Sequence, residues 1–294
     1  MNYFKINKAT LFYTNICNFK CKHCFVSPLF NGKKTMDELL FEKSLNFCVT
    51  NKIQKISISG GEPMLFWNQF KNYIKDVSQK NNIYFSICTN AYWAKITEER
   101  LMIIDDLKKH GVRRLEISTD SYHQEFIDLK TITSCITDAQ NKGLDVIVTV
   151  CFDKLLDEFN TISEINRTIL STENLRLKFI SSFGEAKKNC IDTVQDISFI
   201  EKYKCNQIGS PIITYTGDVY ACCGPAFTLD DNNFYLGNIQ FDTIEKINLN
   251  LYCNEKIKAL KNSNLINLVS NYKELFSSRK ISSSCELCIH FMNS

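Results

Sequence analysis

Short apolar runs alternate with longer stretches of helical spacing over the first two thirds of the chain. The runs are LFYTNI (11–16), KISIS (55–59), IYFSICT (83–89), RLEIS (114–118), LDVIVTVCF (144–152) and LRLKFI (175–180). They are rich in Ile, Val, Phe and Tyr and apolar on both faces, which is typical of buried parallel strands. The stretches between them predict helices near residues 35–51, 66–81, 97–110, 130–142 and 160–171.

This alternation predicts the fold class. Thr97 and the acidic residues after it suggest a capped helix start, and Gly111 and Gly143 fall where helices should end. Six strand–helix units favour right-handed crossovers and a parallel sheet. Because six units are fewer than the eight of a closed barrel, we expect an α/β fold with a partial (β/α)6 TIM-like barrel over residues 1–190.

The pattern changes after about residue 185, where the strand–helix alternation stops. The stretch PIITYTGDVYACC (211–223) predicts a hairpin with Gly217 and Asp218 near its turn. Residues 243–280 have a polar, helical pattern. We therefore expect a second, smaller domain over residues 191–294.

Composition and charge narrow the class of protein. The chain has 294 residues, of which 44% are hydrophobic and 23% charged, as in a globular protein with a sizeable core. It has no apolar run of membrane-spanning length and no signal-peptide pattern at its start, so we expect a cytoplasmic protein without a membrane partner. The net charge is +3, with basic and acidic residues interleaved, which argues against a nucleic-acid partner.

Fourteen cysteines are more than packing requires in a reducing compartment, and they indicate metal binding or catalysis. Cys17, Cys21 and Cys24 form a C-x3-C-x2-C motif after the first predicted strand, at the sheet edge where barrel enzymes place their chemistry. Three such thiolates suit an iron–sulfur cluster and leave one of four irons open to a small molecule. Structural zinc is the alternative; it would need a fourth ligand, and His23 is awkwardly placed between Cys21 and Cys24.

A second motif, SGGEP (59–63), follows the second predicted strand at the same sheet edge. Its glycines allow backbone groups to approach a ligand closely, and Glu62 offers a carboxylate to an ammonium group. Together, the cysteine motif and GGEP resemble the radical S-adenosylmethionine (SAM) superfamily over residues 10–183. The resemblance implies a 4Fe–4S cluster on the three cysteines and SAM chelated through its amino and carboxylate groups. It also implies reductive cleavage to a 5′-deoxyadenosyl radical, with a reductant such as flavodoxin or ferredoxin as partner.

The same resemblance implies roles for several residues around SAM. Gly60, Gly61 and Glu62 would hold the methionyl amino group, and His23 takes a position beside the cofactor. Asn90 and Ser118, at the ends of the third and fourth predicted strands, match positions that line the cofactor pocket. For Asn90 and Ser118, capping of the strand ends is the alternative.

A second set of cysteines has its own spacing. Cys205 precedes Gly217 by a gap of eleven residues, Cys222 follows after four more, and Cys285 and Cys288 form a late C-x2-C. This pattern resembles the start of the SPASM extension of radical SAM enzymes. Because six residues follow Cys288, the shorter twitch form with one auxiliary 4Fe–4S cluster on these four cysteines is expected. A structural zinc on the same residues is the alternative.

The remaining cysteines divide into two kinds. Cys48, Cys88, Cys135, Cys151, Cys190 and Cys253 are expected to pack as small apolar side chains. Cys223 differs, because it directly follows a proposed cluster ligand on a hairpin that should face the barrel mouth.

Three stretches resemble twitch-containing radical SAM peptide epimerases, which make D-amino acids in ribosomally made peptides. They are TNAYWA (89–94), ISTDSYHQEF (117–126) and GDVYACCGPAF (217–227), the last together with CELC (285–288). The resemblance implies that Cys222 ligates the auxiliary cluster and that Cys223 returns a hydrogen atom to the substrate. Where the family has an aspartate before the glycine, this chain has Ser210 or Pro211.

The resulting expectation is a peptide epimerase acting on a precursor peptide. Tyr122, His123 and Glu125 are expected to pack or to position the substrate, because radical epimerisation needs no general base at the α-carbon. The alternatives are a maturase that forms thioether or carbon–carbon crosslinks, a twitch-type small-molecule dehydrogenase, and a non-catalytic iron–sulfur protein.

Overall fold

The structure is a computed structural model that describes residues 5–26, 34–191, 197–202, 205–229 and 232–294. The strands are β1 (Lys8–Thr14), β2 (Lys55–Gly60), β3 (Tyr84–Thr89), β4 (Val112–Ser118), β5 (Asp145–Phe152), β6 (Leu175–Phe179), β7 (Ile212–Thr214), β8 (Asp218–Tyr220) and β9 (Tyr235–Asn238). Within the described ranges they form one sheet in the order β6-β5-β4-β3-β2-β1-β7-β8-β9.

The helices follow the strands in the first part of the chain and stand in series in the last part. They are α1 (Glu38–Thr50), α2 (Trp67–Asn81), α3 (Thr97–Lys109), α4 (Leu129–Asn141), α5 (Phe159–Thr168), α6 (Gly184–Lys188), α7 (Ile197–Lys202), α8 (Ile244–Cys253), α9 (Glu255–Asn262), α10 (Tyr272–Ser277) and α11 (Ser284–Asn293). Strands β1 to β6 are all parallel to their neighbours. The predicted α/β class and the parallel sheet are therefore confirmed.

Strands β2 and β4 are apolar on only one face, so the predicted burial of both faces was wrong for them, whereas β1 buries Leu11, Phe12 and Tyr13 in succession. Alternate residues such as Ile58, Ile87 and Leu115 are completely buried. The residues between them form a polar face. Here Ser57 lies 3.3 Å from Cys88, and Glu116 accepts hydrogen bonds from Ser86 (2.8 Å) and Arg176 (2.9 Å). A polar face inside an incomplete barrel leaves space that a polar substrate can occupy.

Several helices begin or end at a capping side chain or at a glycine. Asp37 and Asp128 cap α1 and α4 by accepting backbone hydrogen bonds. Gly111 and Gly143 end helices with φ of +90° and +78°, as predicted. Thr97, in contrast, is the first residue of α3, and the preceding Ile96 offers no capping side chain.

The later strands extend the same sheet. β7 pairs in parallel with β1, through Thr10 with Ile212 and Phe12 with Thr214, and β8 returns antiparallel to β7. The predicted hairpin is therefore present, with Gly217 at its turn (φ +85°). This arrangement places Cys222 and Cys223 just beyond the end of β8, and α11 carries Cys285 and Cys288. The division into domains at residues 190 and 191 remains a prediction.

No helix of the described ranges has both the length and the apolar character needed to cross a bilayer.

Candidate active site

The first cysteine motif lies in the loop that leaves β1. Cys17 is exposed, Cys21 is buried and Cys24 is half-buried. The Phe19 N–H donates to the Cys17 sulfur at 3.3 Å. Partial burial of its sulfur, together with the nearby Glu62 and Cys24, raises the pKa of Cys17 to about 11, against the lowering effect of the Phe19 N–H. Burial, Cys24, Asp120 and Cys17 all raise the pKa of Cys21. The three thiols therefore lie within electrostatic reach of one another.

Glycines hold this loop at both ends. The Gly61 N–H donates to Thr14 O (2.7 Å), and a Cβ at Gly61 would lie 2.3 Å from Ile16 O. At the other end, the Glu185 N–H donates to Cys24 O (2.8 Å), and a Cβ at Gly184 would lie 2.7 Å from that oxygen. Gly60 and Gly61 thus make room for the cysteine loop itself, and Gly184 is a contributor that the sequence patterns did not reveal.

Glu62 connects the ends of β2 and β3 through hydrogen bonds. Its side chain is 0% exposed and accepts hydrogen bonds from Met64 N (3.0 Å), Thr89 Oγ1 (3.0 Å) and Asn90 N (2.7 Å). Burial raises the pKa of this carboxyl to about 7, against the lowering effect of its hydrogen bonds. The carboxylate therefore fixes the end of β2 against the end of β3, directly beneath the cysteine loop.

Asn90 both caps its own turn and reaches the cysteine loop. Its Oδ1 accepts from Tyr92 N at 3.0 Å. Its Nδ2 donates to Asn18 Oδ1 at 3.0 Å and lies 3.8 Å from the Cys17 sulfur. Ser118, the other predicted pocket residue, is the last residue of β4 and pairs with Thr149 of β5. Both residues therefore lie at the strand ends that surround the first motif.

His23 packs against the segment that follows β4. Its ring lies 4.8 Å from that of Tyr122 and 5.0 Å from that of His123. Its Nε2 is 3.5 Å from Asp120, which is completely buried. Burial lowers the pKa of His23 to about 4.

The stretch ISTDSYHQEF (117–126) contains Asp120, but only the folded chain reveals that this aspartate contacts His23. Asp120 Oδ1 accepts from the backbone N–H (3.0 Å) and the ring Nδ1 (2.8 Å) of His123. Glu125, the other member of the stretch considered for a role, forms an exposed ion pair with Lys22 at 3.2 Å.

The second cysteine set surrounds a cavity of about 50 Å³. Cys205, Cys222, Cys285 and Cys288 all line it, and the other lining side chains are mainly apolar, including Ile208, Phe234 and Leu260. Backbone N–H groups donate to two of the sulfurs, from Gln207 to Cys205 (3.4 Å) and from Gly224 to Cys222 (3.2 Å). Burial raises the pKa of Cys285 to about 12, and the pKa values of Cys222 and Cys288 also rise.

The spacing of the sulfur atoms in both cysteine sets favours a cofactor wider than a single zinc ion. Among the described residues, two groups have candidate ligand atoms within 4.8 Å of one another: Cys21 with His23 and His123, and His23 with Asp120 and Cys151. Neither complete cysteine set is that compact, whereas a single zinc ion requires closely placed ligands. Buried thiols that raise one another's pKa can ionise together only around a shared positive charge. Both sets therefore fit a multi-iron cluster, which is wider than one ion.

Cys223 has surroundings different from those of its neighbour Cys222. It is absent from the lining of the four-cysteine cavity. Its Sγ donates to Gln207 Oε1 at 3.1 Å, and the same oxygen accepts from Lys8 Nζ at 2.7 Å. Burial raises the pKa of the Cys223 thiol, while the ammonium groups of Lys8 and Lys178 oppose the rise. Since these lysines belong to β1 and β6, Cys223 is directed towards the polar side of the barrel strands.

Ser210 and Pro211 stand where the peptide epimerases have an aspartate. They directly precede β7, which pairs with β1. Ser210 is buried, and its N–H donates to Gln207 O at 2.9 Å. Pro211 O accepts from Thr10 N at 2.9 Å. Both residues therefore support the strand pairing beside Cys223.

Comparisons with known proteins show which proteins this chain is similar to. The family model described as the Radical SAM superfamily matches residues 11–164. A protein of Methanocaldococcus jannaschii, named as a glycyl-radical enzyme activating enzyme, is 34% identical over 56% of this chain and 56% of its own length. The match thus spans little more than half of that relative. The Bacillus subtilis protein YydG, assigned by name to peptide biosynthesis, is 23% identical over 80% of this chain and 75% of its own length.

Solved structures resemble the fold over most of the chain. Native anSMEcpe with bound AdoMet has a TM-score of 0.59 at 14% identity, and the match covers 85% of this chain and 82% of that chain. BtrN in complex with AdoMet and 2-DOIA has a TM-score of 0.56 at 16% identity, with 89% of each chain covered. At such identities the likeness supports the fold alone.

Proposed function

The chain belongs to the radical SAM superfamily, and on that premise we propose that it is a peptide epimerase, an isomerase that converts L-residues of a ribosomally made precursor peptide into D-residues. Family membership implies SAM and a 4Fe–4S cluster as cofactors. The likeness to YydG over most of the chain supports a peptide as the substrate. Epimerisation itself is supported by the surroundings of Cys223.

We assign the cofactor contacts as follows. The cluster that binds SAM would be held by Cys17, Cys21 and Cys24, and SAM would lie among His23, Gly60, Gly61, Glu62, Asn90 and Ser118. An auxiliary 4Fe–4S cluster in a twitch domain would be held by Cys205, Cys222, Cys285 and Cys288. When bound, these cofactors supply the 5′-deoxyadenosyl radical that removes an α-hydrogen from the peptide.

One observation supports the proposal above all others: two adjacent cysteines have different surroundings. Cys222 lines the four-cysteine cavity, whereas Cys223 contacts Gln207 and lies near lysines of β1 and β6. A thiol in that position lies outside the lining of the four-cysteine cavity, although it is within electrostatic reach of Cys205 and Cys285, and it is close to the strands that surround the substrate space. Burial also keeps the Cys223 thiol protonated, because its pKa lies above the ordinary value. It therefore has a hydrogen atom to give.

The proposed hydrogen transfer conserves both atoms and electrons. The Cys223 S–H bond breaks and a C–H bond forms on the opposite face of the α-carbon radical, which produces the D-residue. The Cys223 thiyl radical that remains takes up one electron, from a reductant such as flavodoxin or ferredoxin, and one proton from solvent. The peptide gains and loses one hydrogen atom at the same carbon, so its oxidation state is unchanged.

The test uses the reconstituted protein with SAM, a reductant and a precursor peptide encoded beside its gene, in deuterated water. We expect D-residues by chiral analysis of the hydrolysed peptide, with one deuterium gained at each modified site. Cys223→Ala should still form 5′-deoxyadenosine but no D-residues. Cys253→Ala removes an exposed cysteine outside both sets and should behave as wild type.

Two outcomes would overturn the proposal. An undiminished yield of D-residues from Cys223→Ala would remove the role of Cys223. A peptide that loses two hydrogen atoms would instead identify a crosslinking maturase or a dehydrogenase.

A further inference from the structure

A lysine of the last barrel strand faces the polar interior of the incomplete barrel. Lys178 of β6 pairs in register with Cys151 of β5 and stands two residues beyond Arg176. Because side chains alternate along a strand, Lys178 lies on the same face as Arg176, whose guanidinium reaches Glu116 at 2.9 Å. Lys178 is nevertheless exposed, so other described side chains leave it largely uncovered and space remains beside it.

A second lysine approaches the same space from the first barrel strand. Lys8 Nζ donates to Gln207 Oε1 at 2.7 Å, and the ammonium lies within electrostatic reach of Arg176 and Cys223. Since Lys8 belongs to β1 and Arg176 to β6, the first and last strands of the barrel face each other across its open side. Lys178 also lies within reach of Cys223. The two ammonium groups therefore flank the Cys223 thiol at this opening.

The positive charges of the two lysines are not balanced by carboxylates. Two ion pairs account for the arginines of the same face: Arg176 with Glu116, and Arg114 with Asp145. In the part of the chain that the structure describes, neither Lys8 nor Lys178 forms an ion pair, and the oxygen that Lys8 contacts belongs to a neutral amide. Burial lowers the pKa of Lys8, so its charge is costly there without an anion. Two unbalanced charges in a partly enclosed space favour an anionic ligand group.

The direction of Lys178 indicates where that anion would lie. Its ammonium is within electrostatic reach of Cys88 on β3 and Cys151 on β5, both on the inner side of the barrel. The lining of the four-cysteine cavity, in contrast, contains neither Lys178 nor Lys8. Lys178 therefore extends into the space between the barrel strands, where a substrate would lie, and not into the cavity of the second cysteine set.

We propose that Lys178, together with Lys8, binds a carboxylate of the peptide and thereby holds the target residue against Cys223. The inference rests on the proposed peptide substrate. Such a carboxylate has two sources, the side chain of an aspartate or glutamate and the C-terminus of the peptide. In either case the ion pair fixes one point of the peptide beside the thiol, which makes Lys178 a residue that determines specificity.

Altered precursor peptides distinguish these sources. In the peptide encoded beside the gene, each aspartate and glutamate is replaced in turn by its amide, and one further peptide carries a C-terminal amide. Binding to the reconstituted protein is measured by the fluorescence anisotropy of peptides labelled at the N-terminus. We expect one of these changes to weaken binding about tenfold, because a charge-assisted hydrogen bond is lost. The peptide that shows this penalty identifies the source of the carboxylate.

Lys178→Met tests whether the lysine meets that carboxylate. Methionine keeps a long flexible side chain but carries no charge. This variant should bind the unaltered peptide about tenfold more weakly, and the penalty of the amide should disappear, because its partner is gone. Lys178→Arg keeps the charge and should keep most of the penalty. Lys8→Met should reduce the penalty in part, because Lys178 remains.

Lys80→Met is the matched control. Lys80 is an exposed residue in the last turn of α2, away from the inner face of the barrel. This variant should bind every peptide as wild type does. Iron analysis of each variant checks that the clusters are loaded, and a redox titration followed by electron paramagnetic resonance records the reduction potential of the auxiliary cluster.

The outcomes separate this inference from the proposed function. If wild-type protein with full iron content does not bind the peptide, the proposed substrate and this inference are both wrong. If it binds the peptide, but no carboxylate matters or Lys178→Met keeps the full penalty, the inference alone is overturned. Unchanged peptide affinity in Lys178→Met, with a lowered reduction potential, would likewise overturn it and assign the lysine to the auxiliary cluster. If the penalty behaves as expected while Cys223→Ala still yields D-residues, the inference stands and the role of Cys223 is wrong.

Discussion

The two cysteine sets differ in what surrounds their sulfurs. The first lies at the open edge of the sheet, with an exposed Cys17 and the polar groups of Glu62, Asn90 and Asp120 close by. The second surrounds a cavity that is otherwise mainly apolar. An exposed thiol braced by buried polar groups is accessible to a small molecule, whereas an apolar enclosure limits solvent access to whatever the thiols hold.

Hydrogen bonding to sulfur does not account for this difference. In both sets, a backbone N–H two residues beyond a cysteine donates to its sulfur: Phe19 to Cys17, and Gln207 to Cys205. What distinguishes the sets is the number of thiols and the polarity of the neighbours. Three thiols leave a coordination position for a ligand, and four do not. The first set is therefore suited to chemistry and the second to holding or passing an electron.

The largest expected effect comes from removing one thiol from each set. Cys21→Ser and Cys288→Ser should each retain about half of the wild-type iron, because under the proposed assignment each would lose one of two four-iron clusters. Only Cys21→Ser should lose the change that SAM produces in the electron paramagnetic resonance spectrum, together with 5′-deoxyadenosine formation. Iron analysis, spectra with and without SAM, and chromatography of the nucleoside measure these effects.

The comparison fails if the two variants are interchangeable. A SAM-dependent spectral change that survives in Cys21→Ser, or that disappears in Cys288→Ser, would mean that the two sets do not have the separate roles assigned to them.

A smaller effect is expected from Gly184→Ala, which acts on the backbone that holds the first loop. A Cβ at Gly184 would lie 2.4 Å from Phe25 O, so the loop carrying Cys24 has to move. We expect a several-fold loss of the SAM-responsive spectral signal, because the cluster ligands are displaced. The signal of the second set should be unchanged.

Gly143→Ala is the control, because it has the same kind of backbone strain without the clash. Gly143 has φ +78° and Gly184 has φ +58°, so alanine is strained at both positions by about 1 kcal/mol. The nearest atom to a Cβ at Gly143 is Lys108 Nζ, at 3.7 Å. Equal losses of signal in both variants would show that strain alone, and not contact with the cysteine loop, explains the Gly184 effect.

Features that arise from residues close together in the chain could be predicted from the sequence. The six parallel strands follow from short apolar runs, and the first motif follows from the spacing of Cys17, Cys21 and Cys24. The first strand was predicted at 11–16 but spans Lys8–Thr14. Asn15 and Ile16 continue the apolar run in sequence, yet Gly61 and Glu62 bind this segment and turn it into the cysteine loop.

Features that depend on distant segments could not be predicted. Asp120 and His23 lie 97 positions apart in the sequence, and no local pattern shows that they meet. Gly184 is a single glycine after a strand, a position that ordinarily signifies only a turn. The three residues of β7 form a stable strand because β1 and β8 pair with both of its edges. The polar face of the barrel strands became evident only from contacts such as that of Arg176 with Glu116.

The smallest expected effect concerns the alignment of the Cys223 thiol. Gln207→Leu removes the oxygen that accepts from Cys223 and from Lys8, but keeps the backbone N–H that donates to Cys205. The auxiliary set should therefore keep its iron, while the thiol loses its fixed orientation. Loss of one such hydrogen bond should raise the ratio of 5′-deoxyadenosine to D-residues about three- to tenfold.

Gln240→Leu is the matched control for Gln207→Leu, because the side-chain amide of Gln240 also forms a hydrogen bond to the β7–β8 hairpin. Its Nε2 donates to Thr216 O at 2.9 Å, away from Cys223. Mass spectrometry after brief alkylation of the folded protein gives a second measure, since a released Cys223 thiol should react at a changed rate only in Gln207→Leu. An unchanged ratio and an unchanged alkylation rate would show that the backbone of the hairpin positions Cys223 without help from Gln207.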